Sequence, residues 1–192
     1  MREIWVYDAE NREYYTLDQD NPSFKDSLKE AGIEIGENVL IGEGVYLGEY
    51  VTIADNVTIG DEVEIEDFCN VGEHTVIDPF ALLGSRILIE ENVFVGSHCM
   101  FGDSVTLKRG SRIAREVDLE YGVYVGGQSS IGECSCIQRN THIDDHVVIQ
   151  EFVHLGDDSV IEKGAFVSRN TTLPNGAVVP FPYTKTNEEE VS

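Results

Sequence analysis

The sequence predicts an all-β fold made of short strands stacked in a regular repeat, and three observations predict it. A large aliphatic or Phe stands at every sixth position from Ile35 to Val179, 25 slots without an insertion. Ile, Leu, Val and Phe total 57 of 192 residues, so chance agreement in one frame is on the order of 10⁻¹³. Two residues before each aliphatic stands a small or β-branched side chain, as at Val39, Val45, Val51, Cys69, Thr75 and Ala81. Gly follows the aliphatic in 11 of the 25 slots. At the third residue after the aliphatic, Gly, Asn, Asp or His recurs (Asn38, Gly44, Asn56, His74, Asn92, His98). Those types tolerate the left-handed backbone that a tight corner demands.

This unit, aliphatic–Gly–x–x–small–x from Ile33 to about Pro180, resembles the hexapeptide-repeat family. The resemblance implies a left-handed parallel β-helix of about eight coils, each with three strands and 18 residues. No coil buries its aliphatics alone, so stability comes from stacking, and the two ends need covers.

The flanks supply those covers. In residues 1–32, Ile4–Tyr7 and Tyr14–Leu17 are expected to pair as a hairpin across Asp8–Glu13. Asn21-Pro22 then opens a helix that Gly32 ends, with Phe24 and Leu28 on one side. The β-helix is expected over residues 33–182, where Pro174, Pro180 and Pro182 stop the strands, and residues 183–192 form a loose tail.

An 18-residue coil places positions 18 apart directly above one another, which turns sequence into neighbours. Two residues after the aliphatic, Glu37, Glu43, Glu49, Asp55, Asp61, Asp67 and Glu73 follow without a break, read as a solvated acidic rim. The outward strand position carries Val76, Leu82, Leu88, Phe94 and Met100, an apolar belt expected to contribute to subunit contacts. His98 lies beneath Glu116 and above Phe80, with Arg115 above Ser97 and Arg112 above Phe94. A carboxylate beside an imidazole orients it and raises its basicity, as a general base requires. Lys108, Arg109, Arg112 and Arg115 gather four of 13 basic residues, a cluster able to hold a phosphate or carboxylate or to relieve acidic repulsion by pairing. Asp118, Cys136 and His154 form a second column, but the acid adjoins the cysteine rather than the histidine, which is the wrong order for a nucleophile and its base.

Composition bounds the partners. Thirteen Lys+Arg against 36 Asp+Glu leave a net charge of −23, which repels nucleic acid and anionic membrane. No apolar run approaches a membrane span, and the start, Met1-Arg2-Glu3-Ile4-Trp5, is not that of a signal peptide, so a cytoplasmic protein is expected. The four cysteines (Cys69, Cys99, Cys134, Cys136) make neither a disulfide framework nor a zinc-knuckle spacing.

The resemblance adds expectations of its own. Many family members are trimeric acyltransferases that move an acyl group from coenzyme A or an acyl carrier protein to a sugar or amine, with a His general base between subunits. It implies His98 as that base with Glu116 as its partner, and His154 as second choice. Arg109, Arg112 and Arg115 would bind anionic groups of the substrates. Acetyl-CoA would be a co-substrate, with no bound cofactor. An acidic carrier protein would meet three times −23 on a trimer, so coenzyme A is the expected donor. The family's γ-class carbonic anhydrases carry two His five apart, a spacing absent around His142, His146 and His154, so no metal is expected. The rival reading is a non-catalytic trimeric β-helix, an assembly scaffold or anion-binding module, which the unbroken 25 slots also suit.

Overall fold

The computed structural model describes residues 3–8, 13–19, 21 and 23–181. The chain opens with β1 (Glu3–Asp8), β2 (Glu13–Asp18) and α1 (Phe24–Glu30). Two-residue strands then follow at every sixth position, from β3 (Glu34–Ile35) to β27 (Val178–Val179). The second residue of each is the predicted aliphatic, and all are buried except Ile35 and Leu173, near the two ends.

These strands form three parallel sheets of ten, eight and nine strands, counting the hairpin in the first. The register is 18 throughout: Ile41 pairs with Ile59, and Ile59 with Ile77. Strand N–H groups donate to the coil above, as Thr58 N to Thr75 O at 3.0 Å, and corner N–H groups to the coil below, as Asn56 N to Glu37 O at 2.8 Å. The result is a left-handed parallel β-helix of about eight coils. Its interior is a continuous column of Ile, Leu and Val, lined at the corners by small residues such as Val45, Cys69 and Ala81.

Every corner turns on a residue with positive φ. Gly, Asn, Asp and His were expected there, but Tyr50, Phe68, Phe80 and Phe152 also adopt φ between 55° and 65°. A left-handed conformation costs a non-Gly residue roughly 1–2 kcal/mol. Ring stacking offsets part of that: Tyr50 lies on Phe68 with centroids 5.1 Å apart.

The acidic rim proves more than a solvated surface. Asp55, Asp61, Asp67, Asp103, Asp145 and Asp157 each accept a backbone N–H from the coil below, at 2.7–3.1 Å. Side-chain capping of this kind satisfies a corner amide that the sheet ladder leaves unpaired.

The apolar belt also reads differently in space. Val76 and Phe94 face outward on the eight-stranded sheet, Leu82 and Met100 on the ten-stranded sheet, and Leu88 on the nine-stranded sheet. Successive hexads visit successive faces, so a sequence-continuous belt is divided among three sides.

The N-terminal hairpin pairs as expected, Glu3 opposite Asp18 through Asp8 opposite Glu13. It also joins the first sheet, because Trp5 pairs in parallel with Tyr46. Helix α1 starts at Phe24, after Asn21 Oδ1 has accepted the Ser23 N–H at 2.9 Å. Gly32, at φ +74°, ends it, and Ile33 N returns to Leu28 O at 2.9 Å. Leu28 and Ile33 are buried and Phe24 packs on the core, closing the first coil. Pro182 and the expected tail at 183–192 lie outside the described residues.

Candidate functional site

His98 stands on the edge where the eight-stranded sheet turns into the ten-stranded one, in a corner column with Phe80 below and Glu116, Cys134 and Phe152 above. Backbone bonds hold the column: His98 N donates to Pro79 O at 3.2 Å and Glu116 N to Ser97 O at 2.9 Å. The imidazole lies flat on Phe80, centroids 4.9 Å apart and planes within 4°. It is exposed, and among the described residues neither ring nitrogen has a hydrogen-bond partner.

Glu116 was expected to orient His98, and the structure gives it another partner. Its carboxylate accepts the Cys134 thiol at 3.2 Å, one coil up. That hydrogen bond, with burial and the charge itself, pushes the thiol above its ordinary pKa. At a corner each side chain projects outward, so an acid one rung above leans toward the next rung as readily as the one below.

The basic cluster is spread across one side of a coil. Lys108 and Arg109 sit at one corner, Arg112 on the eight-stranded face and Arg115 at the next corner. Lys108 is bonded to Glu90 and Arg109 to Glu91, each one coil below. Arg115 pairs with Glu133 at 3.0 Å. Among the described residues Arg112 has no carboxylate partner and lies 5.7 Å above the Phe94 ring. The groove beside Lys108 and Arg109, of about 520 Å³, is lined by Glu90, Glu91 and Asp145 as well, so its positive charge is balanced.

The second column is confirmed in register: Asp118 pairs with Cys136, and Cys136 with His154. Burial raises the Asp118 carboxyl above its ordinary value. Burial first, then the charges of Asp118 and Glu120, raise the Cys136 thiol. A thiol held protonated is a poor nucleophile, so the column does not assemble one. Elsewhere His142 stacks on Tyr124 at 4.5 Å and its Nε2 meets Asp144 at 3.0 Å, which occupies the ring structurally.

One feature escaped the sequence reading. A groove of about 780 Å³ lies where the hairpin meets the first coils, lined by Trp5, Tyr7, Tyr46, Glu62 and Glu64. Stepping back 18 residues at a time from Met100 reaches Glu64 and Tyr46. No sequence signal shows that β1 enters the same sheet.

Twenty-five uninterrupted hexads, wound in register around one aliphatic column, decide the architecture. The fold is that of the hexapeptide-repeat proteins. A family profile described as the hexapeptide repeat of succinyl-transferase matches residues 26–49 of the chain. Solved structures with similar folds include the Campylobacter jejuni UDP-N-acetylglucosamine acyltransferase, at 16% identity over 76% of this chain and 61% of that one, TM-score 0.44. The Moraxella catarrhalis UDP-N-acetylglucosamine O-acyltransferase follows at 17% over 77% and 62%, TM-score 0.38. A variant of the Caulobacter crescentus GDP-perosamine N-acetyl transferase is similar at 14% over 79% and 56%, TM-score 0.41. The chain spans about three-fifths of the length of these structures. No curated protein gives a significant sequence match.

Proposed function

We propose that this β-helix is a cytoplasmic, homotrimeric acyltransferase that moves an acyl group, acetyl in the simplest case, from coenzyme A to a sugar or amine, with His98 as general base. The observation that carries the reading is the His98 imidazole itself: exposed, stacked on Phe80, and with no partner on either ring nitrogen among the described residues. In the proposed reaction the base takes the proton of the acceptor hydroxyl or amine as that group attacks the thioester carbonyl. The coenzyme A thiolate leaves, and the imidazolium returns the proton to it. Arg112, among the described residues the arginine without a carboxylate partner, is the residue assigned to an anionic group of the donor. His154, half-buried on the neighbouring face, is the alternative base. The outward column of the eight-stranded sheet, apolar at Leu40, Val76, Phe94, Val148 and Phe166 and polar at Thr58, Arg112 and Ser130, supports a subunit contact on that side.

Calorimetric titration with acetyl-coenzyme A at moderate salt tests the reading. Saturable binding at one site per chain is expected, weakened in Arg112→Ala. His98→Ala is expected to keep binding and to lower turnover by roughly 10²–10⁴-fold. A specific observation favours a second reading, a non-catalytic scaffold: Lys108, Arg109 and Arg115 are each engaged by a carboxylate. Absence of any saturable heat with acetyl-coenzyme A selects that reading.

A further inference from the structure

The outward face of the ten-stranded sheet carries a trough whose lining residues do not include His98. Its floor is one registered column: Trp5 pairs with Tyr46, Tyr46 with Glu64, Glu64 with Leu82, Leu82 with Met100, and Met100 with Asp118. Two grooves lie along it and share Glu64 and Glu66. The lower, of about 780 Å³, is walled by the aromatic rings of Trp5, Tyr7 and Tyr46 and by carboxylates, with no Lys or Arg among its lining residues. The upper, of about 500 Å³, has Leu82 and Met100 on its floor and Asp118 and Glu120 at its far end. Leu82 is 39% exposed, Met100 54% and Trp5 46%, so this apolar strip is open to solvent. Arg139 at the far rim is engaged by Asp157 at 3.2 Å and Glu120 at 3.7 Å.

The chemistry selects the ligand. Aromatic faces beside carboxylates attract ammonium groups, and a net charge of −23 draws cations to the surface. A single metal ion does not fit, because among the described residues no three His, Cys, Asp or Glu side chains converge as ligands. The carboxylates are instead distributed along a line: Glu64 and Asp118 are three coils apart, about 14 Å at the strand spacing, with apolar floor between. A ligand matching that pattern carries positive charge at both ends of a methylene stem. We propose that this trough binds a linear aliphatic polyamine, its ammonium groups on the aromatic–carboxylate end and on the Asp118 end, its stem over Leu82 and Met100.

Trp5 is the single tryptophan of the chain, so its fluorescence reports the trough directly. The full chain is titrated at constant ionic strength with spermine, with 1,10-diaminodecane, with the short butane-1,4-diamine, and with magnesium chloride as a charge control. A saturable fluorescence change at one site per chain is expected for the two long amines, with the short diamine at least tenfold weaker. Glu64→Gln, an outward substitution that leaves the core intact, is expected to weaken spermine at least tenfold, and calorimetry on Trp5→Leu is expected to show a comparable loss. His98→Ala is expected to bind spermine as the parent does, which separates this site from acyl transfer. A response to magnesium equal to that with spermine, a non-saturating change, or an unaltered affinity in Glu64→Gln overturns the proposal.

Discussion

Asp61 Oδ1 accepts the backbone N–H of Glu43 at 2.8 Å, and the same oxygen lies 2.4 Å from where a Cβ on Gly42 would stand. The same closeness recurs at Gly36 with Asp55 and Gly48 with Asp67. Gly36, Gly42 and Gly48 are therefore packing glycines, held where the coil above leaves no room for a side chain.

Gly42→Ala and Gly176→Ala separate room from conformation. At Gly42 the added carbon also meets the Asp61 N at 2.5 Å, so a coil must move or the cap must break. A loss of about 3 kcal/mol is expected, the upper end for overpacking. Gly176 has φ +70° but nothing within 4 Å of its Cβ direction, so only backbone strain of about 1 kcal/mol is expected. Denaturant midpoints of the two variants measure the difference.

Ser111 is the exception in a series of buried hydroxyls. Ser129 Oγ donates to Asp144 O at 2.7 Å and Ser135 Oγ to Gln150 O at 3.3 Å, each filling the small slot of the repeat. The Ser111 hydroxyl is buried and has no partner among the described residues. Ser111→Ala is expected to stabilise by about 1 kcal/mol, while Ser129→Ala is expected to destabilise, read from thermal or denaturant unfolding.

The period that made the fold legible also limited what the sequence could say of the site. Ile41, Ile59 and Ile77 announce the stack because burial acts on every coil alike. The partner of Glu116 is set by a choice between equivalent rungs, His98 below or Cys134 above, and a repeat gives no signal to choose between them. Trp5 beside Tyr46 was hidden for another reason: a hairpin outside the period enters the first sheet, a non-local pairing that no local pattern encodes. The pairing of Lys108 with Glu90, by contrast, is an 18-residue step, and was open to a reading of the corner beneath it.

Phe80 sets stability against activity. At φ 65° it holds a strained backbone, yet its ring carries the His98 imidazole. Phe80→Asn puts a residue that tolerates this conformation at the corner and removes the stacking surface. Unchanged or higher unfolding stability is expected, together with slower turnover in the proposed acyl transfer. A variant that loses stability and keeps its rate would show the stack to be structural only.

Glu90 gives the fold an acid-sensitive contact. Lys108 bonded to its carboxylate holds Glu90 below the usual carboxylate range, and Glu90 in turn raises Lys108. An acid with a depressed folded pKa stabilises above its unfolded value, and that contribution is lost as pH falls through the folded value. Glu90→Gln is expected to be less stable than the parent at pH 7. The gap is expected to start narrowing as the pH falls below the usual glutamate pKa of about 4.3, and to close below the depressed folded value. Parallel melting curves from pH 7 to pH 3 measure it.

Asp118 carries the opposite sign. Its carboxyl lies partly buried between Met100 and Cys136, and burial raises its pKa. The folded state then binds a proton more tightly than the unfolded chain. The ionised carboxylate is therefore a penalty, complete above the raised folded pKa and absent below the unfolded value of about 3.9. Asp118→Asn keeps the shape and removes the charge, so it is expected to be more stable than the parent at pH 7 and equal to it in acid. The same substitution takes one carboxylate from the far end of the trough and is expected to weaken spermine there. A single variant thus gains fold stability and loses ligand affinity, the pattern of a buried charge kept for binding. If Asp118→Asn were instead less stable at pH 7, the carboxylate would have to be satisfied by its surroundings rather than merely desolvated by them.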